Sequence, residues 1–288
     1  MDLSIVIVSF NTKKLLDDCL SSVERSLKDT NVSYEVIVVD NVSIDGTREM
    51  LKKKYPQVQT VLNSENVGFG RANNQGTRKA KGEYVFYLNS DTIVLNKAIA
   101  KLLSFARQHP KHFVGPKLLN LDRSPQSSCG PFFSLPVVFA ALFLRGDRIG
   151  LTRWSPTRTR KVSWVSGAAL MGPRKQLLDN LLFDEKIFMY MEEIDLLYRA
   201  RKRGFRTLFY PKSVIIHLGS GSSTNKKKGP VLNIYRGLIY FYKKHHPSWK
   251  VRILLFLLKA KAAIAWSIGV VSGNSYLKET YAEAFWIA

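Results

Sequence analysis

The sequence predicts an α/β fold in which a doubly wound, mostly parallel sheet is followed by a C-terminal helical extension. Short β-branched or aromatic runs alternate with stretches whose apolar residues recur at helical spacing, and several of the runs close on polar residues. The runs are nearly uninterrupted in their apolar character, as expected for central strands covered by helices on both faces. With 288 residues and 45% hydrophobic content, the chain can build one large domain with an appendage.

The first half of the chain is predicted as strands separated by helices. The strands are predicted at residues 3–9, 35–40, 58–62, 84–88 and 113–119. Helical spacing of apolar residues predicts helices between them, the last at residues 97–108. Parallel strands joined by such crossovers present their carboxyl ends at one edge of the sheet, where ligands bind in open α/β folds.

Polar side chains follow three of these strands and form the first group of candidate site residues. They are Ser9, Asn11, Asp40, Asn89, Ser90 and Asp91. A loop rich in asparagine and glycine adds Asn66, Gly68 and Asn74. A competing interpretation is that residues 89–92 only form a turn or a helix cap, which their residue types favour. A dinucleotide site is disfavoured because the glycine pattern is incomplete and does not follow the first strand.

The second half contains a concentration of acids in an otherwise basic chain. A strand is predicted at residues 162–171, with Gly167 and Ala168 small enough for a close ligand approach. Residues 183–195 combine aromatics with acids, and a helix follows whose first turn holds Glu192, Glu193 and Asp195. Acids in a first turn also have an ordinary explanation in the helix dipole. Glu192 and Glu193 are expected to point to different sides of that helix.

His217 ends the last predicted strand region, residues 207–210 and 213–217, and precedes a loop of glycines and serines. A lone histidine is most often a surface or core residue without special function. Its place at a strand end, like that of the acids, makes it a candidate ligand.

The C-terminal region, residues 223–288, is predicted to be helical and separate from a domain spanning residues 1–222. Helices are predicted at residues 231–246 and 251–271. The longest uncharged stretch, residues 262–277, is shorter than the roughly 20 residues that a membrane span needs. We therefore expect a helix that lies in the membrane interface, with packing against the protein or another subunit as the alternative. The apolar stretch at residues 137–144 is either a buried helix or a second lipid-facing surface.

The composition predicts an anionic partner and a cytoplasmic setting. There are 44 Lys and Arg against 22 Asp and Glu, so the net charge is +22, which suits phosphorylated substrates, anionic lipid or nucleic acid. Cys19 and Cys129 form no disulfide framework or zinc spacing. The N-terminal residues lack the pattern of a signal peptide, so the cytoplasm is expected.

In motif order the chain resembles the inverting family 2 glycosyltransferases of the GT-A fold, most closely the bacterial rhamnosyltransferase-like members. The shared pieces run from residue 3 to about 222 and are Val8-Ser9-Phe10-Asn11, Asp40-Asn41 with Ser43, Asp45-Gly46-Thr47, Asn66-x-Gly68-Phe69, Ala72-x-Asn74-x-Gly76, Leu88-Asn89-Ser90-Asp91, Gly167-Ala168, Phe183-Asp184-Glu185, Met189-Tyr190-x-Glu192-Glu193-x-Asp195, Arg199 and His217.

The resemblance implies a role for each candidate residue. The nucleotide-sugar pocket would be lined by Ser9, Asn11, Asp40, Asn66, Gly68, Asn74, Asn89, Ser90 and Asp91, with Asp40 reaching the base. Asp91 and His217 would hold a divalent metal, Mg²⁺ or Mn²⁺, although Asn89 stands where many relatives have a further aspartate. Glu193 would be the catalytic base, with Asp195 orienting the site and Glu192 the next candidate for the base.

The implied reaction is transfer of a sugar, rhamnose from dTDP-rhamnose first and UDP-sugars next, to a hydroxyl of a lipid-linked glycan during cell-surface polysaccharide synthesis. The enzyme would be attached peripherally to the inner face of the cell membrane. Transfer of a sugar to a polyprenyl phosphate is an alternative on the same fold. A nucleic-acid-binding protein is the alternative from another class, although no nucleic-acid motif appears and acids lie at the strand ends. A nucleotidyltransferase would need a glycine-rich, basic loop after the first strand, and residues 9–12 do not form one.

Overall fold

A central sheet organises the protein, and a computed structural model describes it over residues 1–219 and 228–288. The strands are β1 (Leu3–Ser9), β2 (Tyr34–Asp40), β3 (Gln59–Leu62), β4 (Tyr84–Asn89), β5 (Thr92–Val94), β6 (His112–Leu119), β7 (Cys129–Gly130), β8 (Arg160–Val162), β9 (Trp164–Val165), β10 (Ala169–Pro173) and β11 (Arg206–His217). The helices are α1 (Lys13–Leu27), α2 (Thr47–Lys54), α3 (Phe69–Lys79), α4 (Ala98–Gln108), α5 (Leu135–Phe143), α6 (Arg174–Asn180), α7 (Glu192–Lys202), α8 (Lys228–His245), α9 (Ser248–Val271) and α10 (Ser275–Ile287).

The main sheet has the order β3-β2-β1-β4-β10-β6-β11-β5, with β8 beside β11. Strands β3, β2, β1 and β4 are all parallel, and β6 and β11 form a further parallel pair. Strand β10 runs antiparallel to both β4 and β6, so β6 and β11 point the same way as the first four strands. The mixed α/β fold with a mostly parallel sheet is confirmed.

The apolar pattern of the sequence explains why helices cover both faces of the sheet. Along β1, Leu3, Ile5 and Ile7 pack on one face and Val6 on the other. Helices α1 and α4 cover the first face, with Leu20 and Leu102 among the buried residues. Helices α6, α7, α8 and α9 contribute to the core of the second face. Burial of strands on both faces accounts for their uninterrupted apolar runs.

Two strand predictions of the second half are wrong in detail. The predicted strand at residues 162–171 is broken into β8, β9 and β10, which pair with different partners. Residues 166–168 interrupt it close to the acidic helix α7, where Gly167 lies against Glu193. The two predicted last strands are one strand, β11, with an irregularity between Tyr210 and Val214 where it bulges from β6.

The C-terminal helices are more numerous and longer than predicted. Helix α9 has 24 residues and is long and apolar enough to cross a membrane by length and composition. The uncharged stretch alone underestimated it, because the helix continues through Lys259 and Lys261. Helix α10 was not predicted and folds back onto α9, α8 and the rest of the C-terminal core. The predicted boundary at residues 222 and 223, and the loop of serines and lysines around it, lie outside the described residues.

Helix α5 is partly buried and partly exposed, and a lipid-facing role for residues 137–144 stays a prediction. Val138 and Ala140 are buried, whereas Phe139 and Leu144 are exposed. The helix packs against α9, so its exposed apolar residues lie beside that helix. The two cysteines are buried and free.

Candidate active site

Three parallel strands end side by side, as the sequence predicts. In the sheet, Ser9 is in register with Asp40, and Val8 is in register with Asn89. The polar residues at the ends of β1, β2 and β4 therefore meet at one edge, which is where open α/β sheets bind ligands.

Asp40 is fully buried at the end of β2 and keeps one acceptor atom unused. Its Oδ2 atom accepts from Arg48 Nε at 2.6 Å and from the Ser43 N–H at 3.1 Å. Its Oδ1 atom is buried and has no hydrogen-bond partner among the described residues. A buried acceptor without a donor is costly in a folded protein, so Oδ1 is suited to accept from a ligand N–H.

The loop after β1 is held in a fixed shape by local hydrogen bonds. Asn11 has a φ of 52°, its N–H donates to Ser43 Oγ, and its Oδ1 accepts from the Ile44 N–H. The hydroxyl groups of Ser9, Thr12 and Ser90 form a chain with distances of 3.0 and 3.1 Å. This chain links the end of β1 to the turn that carries Asp91.

The asparagine and glycine loop serves mainly to hold the protein together. Both amide atoms of Asn74 bond to Phe183, and Nδ2 also donates to Glu185. Asn66 Oδ1 accepts from Asn41 Nδ2 and from the Gly68 N–H, each at 3.1 Å. Gly68 has a φ of 85°, and a Cβ there would lie 2.6 Å from the carbonyl oxygen of Phe188. The asparagine and glycine loop is therefore in direct contact with the acidic segment, which spans residues 183–195.

Asn89, Asp91 and His217 converge beyond β4 and β11. His217 Nε2 lies 3.4 Å from Asp91 Oδ1 and 3.4 Å from Asn89 Nδ2. Asn89 Oδ1 is buried without a hydrogen-bond partner in the part of the chain that the structure describes. No group of three His, Cys, Asp or Glu side chains suited to a metal exists among residues 1–219 and 228–288.

Gln126 fixes which nitrogen of His217 carries a lone pair. The Gln126 amide nitrogen donates to Asn120 Oδ1 and to the His217 carbonyl, both at 3.0 Å. Its Oε1 must then accept from His217 Nδ1, 2.8 Å away. In the neutral imidazole the proton on Nδ1 leaves a lone pair on Nε2, which lies 3.4 Å from both the Asn89 amide nitrogen and Asp91 Oδ1. Two acceptors at this distance suit a bound cation between or beside them.

Helix α7 begins with the two glutamates, which directly follow a tight, left-handed turn. Tyr190 and Met191 have φ values of 67° and 77°, which non-glycine residues rarely adopt. Glu192 lies against Gly70 of α3, and Glu193 lies against Gly167, so the two side chains do face different ways. Both Oε2 atoms are buried and lack partners among the described residues.

The environment of the two glutamates disfavours their charged forms. Burial raises the pKa of Glu192 well above its ordinary value, and the neighbouring Glu193 charge adds to this. Burial also raises the pKa of Glu193, against N–H donors that include Gly167 and against the charge of Arg153. A carboxylate with a raised pKa is a stronger base, which is the property that proton abstraction requires.

Two small residues, Gly167 and Ala168, connect the strand end at Asn89 to Glu193. The Asn89 N–H donates to the Ala168 carbonyl at 3.0 Å, and the adjacent Gly167 contacts Glu193. Burial raises the pKa of Tyr190, with further contributions from the charges of Glu192, Glu193 and Asp91. The charges of all three acids therefore act on Tyr190.

We expect Glu192→Gln to stabilise the protein at neutral and alkaline pH. Because the pKa of Glu192 is higher in the folded state, the unfolded state binds fewer protons between the two pKa values, and stability falls as pH rises through that window. Glutamine removes this titration, so the melting temperature of the variant should exceed that of the wild type at pH 8. The difference should close as the pH falls towards 4.5, the ordinary value. Calorimetry across this pH range measures it.

Glu185→Gln is the matched control and should show the opposite sign. Hydrogen bonds from Asn74 and Arg78 outweigh burial and hold the pKa of Glu185 below its ordinary value. Its substitution should therefore lower the melting temperature at pH 8. Equal changes in melting temperature for the two variants would contradict the inference that burial disfavours the charged form of Glu192.

Asp195 is placed differently from the two glutamates. It is fully buried and accepts from Arg199 Nε at 2.7 Å, from Lys244 Nζ at 2.8 Å and from His245 Nε2 at 2.7 Å. Burial alone would raise the pKa of Asp195, but the hydrogen bond from His245 and the neighbouring Arg199 and Lys244 lower it. Asp195 therefore joins α7 to α8 and has no free acceptor pointing to the glutamates' space.

Helix α8 also supports the left-handed turn before α7. Tyr240 Oη and Lys244 Nζ both donate to Asp184 Oδ2. A Cβ at Gly237 would lie 2.8 Å from the Tyr190 carbonyl oxygen. The helix thus contacts the acidic segment at both ends and at its turn.

Several residues of the site carry no clear signal in the sequence. Gln126 lies in an irregular stretch, and Thr12 is one of many polar loop residues. Arg48 lies in α2, after the strand that Asp40 ends, and only its charge distinguishes it from the neighbouring residues. Arg153 lies in a basic stretch whose contact with Glu193 depends on the tertiary fold.

Comparison with known proteins finds a family match in the first part of the chain. Residues 4–123 match the family model described as glycosyl transferase family 2. The chain is 26% identical over 283 residues to N-acetylglucosaminyl-diphospho-decaprenol L-rhamnosyltransferase of Mycobacterium tuberculosis, covering 91% of each protein. It is 30% identical over 126 residues to poly(ribitol-phosphate) beta-glucosyltransferase of Bacillus spizizenii, covering 42% of this chain and 20% of the relative.

Solved structures with the same fold are more distant in sequence. S. aureus TarS 1–349 in complex with UDP-GlcNAc has a TM-score of 0.59 at 18% identity, over 99% of this chain and 79% of that one. GalNAc-T7 with UDP, GalNAc and Mn²⁺ has a TM-score of 0.59 at 18% identity, and the chain spans 50% of its length.

Proposed function

We propose that this chain is a family 2 glycosyltransferase with a GT-A fold, similar to rhamnosyltransferases, and that it transfers a sugar from a nucleotide donor to a hydroxyl of a lipid-linked glycan. Rhamnose from dTDP-rhamnose is the first candidate donor and UDP-sugars are the second. The name of the M. tuberculosis relative supports rhamnose and a diphospho-lipid acceptor, and the bound UDP-GlcNAc of TarS supports the nucleotide-sugar class. The observation that carries the proposal is that the polar strand ends at Asp40 and Asn89 meet at one edge, and that Gly167 and Ala168 join this edge to Glu193.

The donor nucleotide is proposed to lie across the ends of β1, β2 and β4. The unpartnered Oδ1 of Asp40 accepts an N–H of the base, which supplies selectivity because an unmatched ligand leaves it unsatisfied. Ser9, Asn11 and Ser90 line the same edge. Gly68, which has no side chain, lets this loop pack directly on Phe188 beside the proposed donor site.

A transfer that inverts the configuration at the anomeric carbon requires a base on the acceptor side of the donor sugar. We assign this role to Glu193, whose Oε2 is unpartnered and whose pKa is raised. Its carboxylate takes the proton of the acceptor hydroxyl as the oxygen attacks the anomeric carbon opposite the departing diphosphate. Gly167 packs against the Glu193 side chain, and its N–H limits the rise of the Glu193 pKa. Glu192, packed on α3, keeps the turn in shape and remains the second candidate for the base.

A divalent metal, Mg²⁺ or Mn²⁺, fits the donors beyond β4. Asp91 Oδ1 and the Nε2 lone pair of His217 would hold it, and the unpartnered Asn89 Oδ1 is a third available oxygen. A bound cation of this kind neutralises the charge that develops on a departing diphosphate. Gln126 maintains the ligand tautomer of His217.

Asp91→Asn should abolish or strongly weaken Mn²⁺ binding. Loss of the carboxylate removes the charged donor of the set, and even changes outside the ligand shell lower metal affinity about 10- to 100-fold. Electron paramagnetic resonance of free Mn²⁺ titrated with protein measures the affinity without any turnover. Asp122→Asn, an exposed aspartate in the turn with Ser124, is the matched control. Unchanged Mn²⁺ affinity in the Asp91 variant would exclude Asp91 as a ligand.

We further propose that the protein attaches peripherally to the inner face of the cell membrane through α9 and α10. Trp249, Phe256 and Trp266 of α9 and Trp286 of α10 are exposed aromatics, and Lys259 lies among them. Apolar side chains with neighbouring cations suit a helix lying in an anionic interface. The proposal accounts for part of the +22 charge.

The full-length protein should co-sediment with phosphatidylglycerol vesicles at low salt and be released by alkaline carbonate. Release by carbonate separates an interfacial helix from a spanning one. Phe256→Ser should weaken binding because Phe256 is 70% exposed on α9, while Leu121→Ser, at 71% exposure on a loop elsewhere, should not. Binding that is equally strong to neutral vesicles, or resistance to carbonate, would contradict the interfacial placement.

A panel of nucleotide sugars tests the proposed reaction directly. A ligand that binds only the folded state raises the melting temperature, so dTDP-rhamnose with Mn²⁺ should give the largest shift. The stabilising sugar is then offered with N-acetylglucosaminyl-diphospho-polyprenol and the product is identified by mass spectrometry. Stabilisation by no nucleotide sugar, or transfer only to free polyprenyl phosphate, would refute the proposal.

A further inference from the structure

A cavity of about 350 Å³ lies away from the strand-end site and is lined by several basic side chains. Arg160 and Lys161 come from β8, Arg201 from the end of α7 and Arg206 from the start of β11. Trp154 lines it as well, and no carboxylate does. Four cations around one cavity repel each other unless an anion balances them.

The cations of this cavity are not neutralised by the protein. None of the four forms an ion pair with a carboxylate in residues 1–219 and 228–288, although thirteen such pairs occur elsewhere in those ranges. Two of them instead rest on aromatic rings, Arg160 on Trp154 and Arg201 on Phe132, at 5.9 and 5.6 Å. Ring contacts hold guanidinium groups in place while leaving their donors available.

Trp154, which lines the cavity, carries an unused hydrogen-bond donor. Its Nε1 atom is buried and has no acceptor among the described residues. Indole nitrogen only donates, and a buried donor without an acceptor is costly. Four cations and one buried N–H form a complementary set for an anion with several acceptor oxygens, such as a phosphate or diphosphate.

The cavity is connected to the base by two consecutive residues and by one helix. Trp154 lines the cavity, and its neighbour Arg153 is close enough to Glu193 for its charge to oppose the rise in that pKa. Glu193 and Arg201 stand in the first and last parts of α7, about 12 Å apart along the axis at 1.5 Å per residue. This separation is comparable with the length of a hexose carrying a diphosphate.

We propose that this cavity binds the diphosphate of the lipid-linked acceptor while the acceptor sugar lies at Glu193. The phosphate chemistry of the cavity stands on its own residues, whereas the identity of the acceptor rests on the proposed function. Phospholipid headgroups and free phosphate share this chemistry, and the experiments below separate them. The cavity gives the enzyme selectivity for sugars that carry an anomeric diphosphate.

The first experiment measures anion binding through the indole N–H. The full-length protein is labelled with ¹⁵N-tryptophan, and the Trp154 signal among five tryptophans is assigned with Trp154→Phe. Inorganic pyrophosphate should shift the Trp154 indole resonance in the wild type and in Arg203→Gln, but not in the double variant Arg201→Gln/Arg206→Gln. Arg203 is the matched control because it follows the same helix and does not line the cavity.

Absence of a shift in the wild type, or an equal shift in the double variant, would overturn the anion site. A shift with phosphatidylglycerol vesicles but none with pyrophosphate would assign the cavity to a lipid headgroup and overturn the acceptor assignment. Neither result depends on catalysis.

The second experiment compares two acceptors of the same sugar, one a short-chain lipid diphosphate and one an alkyl glycoside without phosphate. The double variant should raise KM about ten-fold or more for the diphosphate acceptor, the scale of losing charge-assisted hydrogen bonds. KM for the alkyl glycoside and for the donor should stay unchanged. Equal effects on both acceptors, or none, would overturn the diphosphate assignment. If the wild type transfers to neither acceptor, the proposed function fails, and the indole titration still decides whether the anion site exists.

Discussion

Glu193→Gln is expected to lower the rate of sugar transfer by about 10²- to 10⁴-fold, the range that a positioned general base contributes. Glutamine preserves the shape of the side chain, so contacts with Gly167 and the surrounding turn should remain. Donor binding, followed by nucleotide-sugar stabilisation of the folded protein, should be nearly intact because the donor is proposed to lie at the strand ends. Single-turnover kinetics with saturating donor measures the chemical step.

The matched control is Glu192→Gln, the same substitution one residue earlier. Glu192 lies on the other side of the helix, against Gly70, so its loss should reduce transfer far less. The wild-type rate should also rise with pH through a midpoint above 4.5, since burial raises the pKa of the base and only the deprotonated form abstracts a proton. Full activity of the Glu193 variant would remove it from the mechanism, and a larger loss in the Glu192 variant would exchange the two roles.

Asp195→Asn is expected to reduce the free energy of unfolding by about 3 to 5 kcal/mol, the cost of removing one partner from a buried ion pair. The substitution leaves Arg199, Lys244 and His245 facing each other without the carboxylate that all three contact. Because Asp195 joins α7 to α8, the loss should appear as a lower urea midpoint for the whole domain. Denaturation followed by circular dichroism measures it.

Asp17→Asn serves as the comparison for the loss of charge. Asp17 pairs with Lys54 at a partly exposed site, where solvent screens the interaction, so a much smaller change is expected. The folded Asp195 variant, assayed well below its melting temperature, should retain transfer activity that Glu193→Gln lacks. Wild-type stability combined with abolished transfer would instead place Asp195 in the reaction, as the resemblance implied.

Helix α8 gives the C-terminal region a role that the sequence did not suggest. The sequence predicted a separate region from residue 223, yet α8 contacts Asp184, the Tyr190 turn and Asp195. Helices α9 and α10, which we propose meet the membrane, pack on α8, and α8 in turn contacts the segment that carries the base. Attachment to the membrane and the position of the glutamates share one structural support.

The fold class and the acidic strand ends followed from local features of the sequence. Uninterrupted apolar runs specify buried parallel strands because both of their faces are covered, and the polar residues that end them are fixed by chain order. The placements of Ser9, Asp40 and Asn89 at one edge needed only that inference. The first turn of α7, with Glu192 and Glu193, was likewise predicted from helical spacing.

Tertiary structure alone decided which of these residues keep an unused hydrogen-bonding atom and which form all their hydrogen bonds within the protein. Asp195 and Glu193 are two positions apart, yet one accepts from three side chains and the other has an unpartnered oxygen, because two of the three donors, Lys244 and His245, come from α8, some 50 residues later. Asn74, predicted as a ligand residue, has its amide used by Phe183 and Glu185. Gln126 and Trp154 gained their roles from contacts with distant strands. Local sequence sets which groups stand at each element's end, while the hydrogen-bond partners that satisfy them are set by packing over long chain distances.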